Sequence, residues 1–108
     1  MSGRASRSKG RRGQSMFGAL LASRDYQIAD LSAGVQSEDI LAIDPSGQVW
    51  CVEVKNTATI TPSHKRQAIN QAERRGSNVR WMLANKIEGS SSWLVRRQGE
   101  RPAVWHQE

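Results

Sequence analysis

Glu38-Asp39-Ile40-Leu41-Ala42-Ile43-Asp44-Pro45-Ser46-Gly47-Gln48-Val49-Trp50-Cys51-Val52-Glu53-Val54-Lys55 reads as two strands and the turn between them. The apolar runs at 40–43 and 49–54 have the length and composition of strands. Asp44-Pro45-Ser46-Gly47 joins them, proline fixing one φ and glycine supplying a positive one. Glu53 and Lys55 stand two residues apart, so in a strand they project to the same face. Asp39 lies fourteen positions before Glu53 and is returned alongside it by the turn. A core strand has no need of charges, and burying them unpaired costs on the order of several kcal/mol. Two carboxylates and an ammonium on neighbouring strands therefore ask for a metal ion or a substrate.

Outward from this hairpin the periodicity changes. Phe17, Leu20 and Leu21 share a stripe at helical spacing, which predicts a short amphipathic helix over 13–23. Tyr26–Leu31 alternates apolar and polar residues as an edge or half-buried strand does, and Ser-Ala-Gly at 32–34 breaks it. After the hairpin, Thr61-Pro62 supplies an N-cap and a first-turn proline, and Gly76 a stop, around a narrow stripe of Ala68, Ile69 and Ala72. A strand follows at 79–84, then two short runs at 92–96 and 103–106 joined through Gln98-Gly99-Glu100. The order is α-β-β-β-α-β with a C-terminal β-hairpin. It predicts an α/β fold with a mixed central sheet flanked by helices.

The 108 residues suffice for one domain and one modest core. The net charge of +6 is uneven, because Arg4, Arg7, Lys9, Arg11 and Arg12 all precede the first acid, Asp25. Residues 1–12 read as a flexible basic arm suited to a polyphosphate partner, ahead of a single domain at 13–108. No apolar run approaches the ~20 residues needed to cross a bilayer, and no apolar segment follows the basic N-terminus. The expectation is an intracellular, cytoplasmic protein that meets no membrane. Cys51 has no partner cysteine and reads as a small core hydrophobe. Trp50, Trp81, Trp93 and Trp105 each lie in an apolar run, which favours burial over base stacking. His64 and His106 are too few and too far apart for a ligand set.

Asp39 and Glu53 offer the hard oxygen ligands that magnesium or manganese prefers, with the Val54 carbonyl as a third donor. Lys55 can orient a water and offset charge developing on a phosphate. On these residues, 38–44 and 52–57, the chain resembles the PD-(D/E)XK nuclease superfamily, in particular its small Holliday-junction-resolvase-like branch. The αβββαβ order agrees, and the resemblance covers about residues 10–85. It implies a restriction-endonuclease-like core and a metal-dependent endonuclease acting on DNA, branched or otherwise structured. It places the metal on Asp39 and Glu53 and catalysis on Asp39, Glu53 and Lys55. Many members carry a further glutamate on the first helix, where this chain has Gln14. Members also often place a polar or basic residue on the helix after the E-x-K strand. Gln67 stands there as a catalytic candidate, while Gln71, Lys65 and Arg66, together with Arg11 and Arg12, are candidates for contacting DNA. Symmetric cutting of a junction implies a homodimer. The competing expectation is a nucleic-acid-binding protein on the same fold whose catalysis has weakened.

Overall fold

The computed structural model describes residues 2–30 and 39–107, with the backbone alone for residues 2–11, Asp30 and Asp39. Helix α1 spans Ser2–Ser23, followed by β1 Gln27–Asp30, β2 Asp39–Ile43, β3 Val49–Lys55, α2 Pro62–Arg75, β4 Val79–Lys86, β5 Ser92–Arg97 and β6 Ala103–His106. The expected end of the strand at 32–34 and the acid Glu38 lie outside the described residues. The six strands form one mixed sheet in sequence order. All neighbouring pairs are antiparallel except β3 and β4, which run parallel and are joined by α2.

Alternation along the strands divides the core. Trp50, Val52 and Val54 of β3 join Ile40, Ala42, Met82, Ala84, Trp93, Val95 and Trp105 on one face, and Phe17, Leu20 and Leu21 of α1 pack into them. The stripe read from the sequence is thus the buried face of α1. Phe17 lies 5.2 Å from the Trp93 ring and 6.0 Å from that of Trp105, within the range of favourable aromatic contact. The other face carries Cys51, Glu53 and Lys55 with Trp81, Leu83 and Asn85, in register across β3 and β4. Helix α2 covers this side, where Lys65 reaches over the Trp81 ring and Ala68 and Ala72 are buried.

Tyr26, just before edge strand β1, lies 6.2 Å from Trp105 on the opposite edge strand, β6. Five spacings of about 4.8 Å would hold the edges of a flat sheet about 24 Å apart. The sheet is therefore curled around the end of α1. Gln107 fastens this arrangement, accepting from the Trp93 indole at 2.9 Å and donating to the Met16 carbonyl at 2.6 Å.

Two boundaries follow from the residues that set them. Thr61 donates its N–H to His64 Nδ1 at 3.2 Å, and His64 returns its own N–H to the Thr61 carbonyl at 3.0 Å, opening α2 one residue before Pro62. His64 is thereby a capping residue. Asp25, at φ 68°, turns the chain out of α1, with the Tyr26 N–H donating to the Leu21 carbonyl. The start of α1 differs from expectation. Its backbone is helical from Ser2, whereas the sequence predicts the helix only over 13–23.

The β2–β3 turn is held by Asp44. One carboxylate oxygen accepts from the Ser46 N–H and hydroxyl and the Gln48 N–H, the other from the Trp50 indole at 3.0 Å. Gly47 completes the turn at φ 91°. Burial raises the Asp44 pKa, but the hydrogen bonds from Trp50, Ser46 and Gln48 outweigh it and hold the carboxyl below its ordinary 3.8. A carboxyl depressed by folding stabilises the protein above its ordinary value, and this contribution is lost as pH falls through the lower folded value. Asp44→Ala should cost about 1–3 kcal/mol at neutral pH. Thermal melts of both proteins should show a constant gap above about pH 5 that narrows in more acid solution. A gap unchanged down to pH 2 would exclude the ionised carboxylate as its cause.

Candidate active site at the carboxyl end of the parallel strands

Asp39 and Glu53 are direct register partners in the β2–β3 pair. Directly opposed residues on an antiparallel pair present their β-carbons about 4.5–5.5 Å apart on one face. The turn fixes this pairing, since a slip of one residue would send either acid to the opposite face. Glu53 is 8% exposed, and Lys55 places Nζ 3.4 Å from its Oε1. The three residues singled out on the strands are therefore brought together at backbone level, and two of them by their side chains. The Asp39 side chain lies outside the described residues. Val54 turns its side chain into the α1-facing core, and its backbone extends past the last β2 partner while remaining paired with Ala84 of β4.

Two further polar residues complete this face. Asn85 is the register neighbour of Lys55, is 4% exposed, and donates through Nδ2 to the Ala58 carbonyl at 3.3 Å. Its Oδ1 accepts from Arg96 Nη1 at 3.3 Å. Glu53, Leu83 and Arg96 form one row across β3, β4 and β5, and Lys55, Asn85 and Leu94 form the next. Buried polar side chains are retained where they are hydrogen-bonded, and here the bonds tie the loop after β3 to β4 and β5. Sequence reading missed both residues. The signal for Asn85 was a lone amide closing the apolar run 79–84; that for Arg96 was its alternation with Leu94.

The helices meet this end of the sheet from both sides. At Gly13 of α1 an added Cβ would stand 2.8 Å from the Asn56 Cβ, one residue beyond Lys55. This close approach brings Gln14, half-buried, and Arg12, exposed, to the end of β3. Gly13→Ala should destabilise by about 1–3 kcal/mol through the clash, although alanine gains about 1 kcal/mol in helix propensity. Urea unfolding measures the sign, and a stabilised variant would mean that Asn56 gives way. Helix α2 begins at the same end. Arg66 and Gln67 are exposed on it and Gln71 is half-buried, while the Lys65 ammonium is drawn 5.5 Å from the Trp81 ring centroid. The structure places Gln67 on the exposed surface of α2. The Arg11 side chain lies outside the described residues.

Trp50, Trp93 and Trp105 are buried, as is Cys51, whereas Trp81 is half-buried beside α2. Among the described residues no helix is long and apolar enough to cross a membrane. Among the described residues no three acidic, histidine or cysteine side chains gather as a metal site. Comparison with known proteins gave no match to a family model, a curated protein or a solved structure.

Proposed function

We propose that the protein is a metal-dependent endonuclease that hydrolyses phosphodiester bonds in DNA, with a branched or structured duplex as substrate. The observation that carries this reading is the pairing of Asp39 with Glu53, with Lys55 3.4 Å from Glu53, at the carboxyl end of β3. Carboxyl ends of parallel strands are where open α/β sheets place their ligands. The donor chemistry fits a hard cation, since one or two carboxylates suffice for magnesium when substrate phosphate and water complete its shell. Asp39 and Glu53 would hold the ion, which when bound lowers the pKa of water and offsets charge on phosphorus.

The remaining work falls to the chain. Water attacks phosphorus and gives up a proton to solvent, while the P–O bond to the departing sugar oxygen breaks and that oxygen takes a proton from solvent. The Lys55 ammonium, fixed by Glu53, orients that water and offsets the growing negative charge. Asn85 and Arg96 hold the adjacent strands so that this face keeps its shape, and Arg12, Lys65 and Arg66 supply positive charge for the phosphate backbone. Gln14 favours a second reading, a DNA-binding protein with weakened catalysis, because a neutral amide stands where the resemblance implies a carboxylate.

A panel of four-way junctions, flaps, nicked and linear duplexes, incubated with and without magnesium or manganese, tests both. Metal-dependent products are expected from at least one branched substrate. Binding to DNA with no product from any of them would favour the second reading.

A further inference from the structure

On the sheet face opposite Glu53, at the end where β3 and β4 begin, four arginines converge from separate segments. Arg80 opens β4, with its guanidinium 6.0 Å from the Trp50 ring centroid. Arg97 closes β5 and lies 5.2 Å from the Trp105 ring, which Arg24, just after α1, approaches to 3.9 Å. Arg101, in the turn before β6, borders with Arg97 an open cleft of about 780 Å³. Gly99 joins the two halves, since a Cβ there would lie 3.8 Å from Arg80 Nη1.

Two observations set this surface apart from an ordinary solvated face. Three of the guanidiniums rest on indole rings, which restrains them before any ligand arrives. Among the described residues no acidic side chain lies within 4.0 Å of any of the four. Three acids lie nearby and offset part of the charge, but none is paired with an arginine among the described residues. Asp44 spends its oxygens on Trp50, Ser46 and Gln48, while Glu100 borders the cleft and Asp25 is exposed beside Arg24.

We infer that this is a second DNA-contacting surface, seating the phosphate backbone of a duplex segment distinct from the one at Glu53. Planar guanidiniums match phosphate oxygens bidentately, and the open cleft suits a backbone rather than an enclosed ligand. The inference rests on the DNA reading above but not on cleavage. The two surfaces lie on opposite faces and at opposite ends of β3, so a DNA molecule engaging both must present two arms.

The test is equilibrium binding of a four-way junction, with EDTA present, over a series of salt concentrations. Replacing the exposed Arg24, Arg80 and Arg101 together by glutamine should lower the slope of log K against log salt by about 2–3 and weaken binding roughly tenfold or more at 0.1 M salt. The corresponding triple lysine variant, which keeps the charge, should retain the wild-type slope. Should the glutamine triple melt early, Arg101→Gln alone should lower the slope by about 1. An unchanged slope in a folded glutamine variant would overturn this surface and leave the nuclease reading standing. Absence of wild-type binding would overturn both, and loss of cleavage in Glu53→Gln with binding intact would bear on catalysis alone.

Discussion

Glu53→Gln should reduce metal-dependent cleavage by roughly 10²- to 10⁴-fold while leaving DNA binding within about threefold of wild type. The substitution keeps the shape of the side chain and removes its charge, so it tests the carboxylate rather than the packing. Glu53 is nearly buried and Lys55 is its close partner, so the variant leaves an ammonium with less compensation. The Lys55 side chain is 21% exposed, which allows water to take up part of that loss and keeps the cost to folding small. Asp39→Ala and Lys55→Ala should lose cleavage on the same scale, the first by removing a ligand and the second by removing the group that places water. Thermal melts alongside the cleavage assay separate lost chemistry from lost fold. Cleavage that survives all three substitutions would remove the hairpin from the mechanism.

Trp93→Ala should cost about 3–5 kcal/mol, a large share of the 5–15 kcal/mol that holds a typical domain together. Trp93 is fully buried, meets the Phe17 ring at 5.2 Å, and donates its indole N–H to Gln107. Its loss opens a cavity between α1 and the sheet and releases the residue that fastens β6 to the Met16 carbonyl. Trp93→Phe should cost less, because it keeps the aromatic contact and loses the hydrogen bond. Urea denaturation of both variants measures the difference. A loss below about 1 kcal/mol for alanine would show that the curled sheet is held mainly elsewhere.

The hairpin, the limits of α2 and the alternating strands could be read from the sequence because each is set by neighbours in the chain. Proline and glycine in the turn, Thr61 and Gly76 around α2, and the period of two in β3 act within a few residues. The pairing of Asp39 with Glu53 followed from the same turn. What escaped depends on residues far apart in sequence. Asn85 looked like the polar end of a strand, yet it bonds to Ala58 and Arg96. No sequence pattern marks Arg24, Arg80 and Arg97, yet each lies against an indole ring. Gly13 read as a helix boundary, and it is instead where α1 touches the residue after Lys55. Helical spacing identified the buried face of α1 but could not say that its basic N-terminal segment would continue the helix.

The order of the strands in the sheet carries a kinetic consequence. Every strand lies beside its neighbours in sequence, and the one parallel pair is bridged by a single helix. The chain can therefore assemble by adding each new strand to the one just formed, without closing a long loop at any step. Sheets with long-range pairings refold slowly because those loops must close before any contact rewards them. Strand pairing is local throughout, which leaves the packing of α1 against β5 and β6, where Phe17 meets Trp93 and Gln107 bonds to the Met16 carbonyl, as the long-range step of folding.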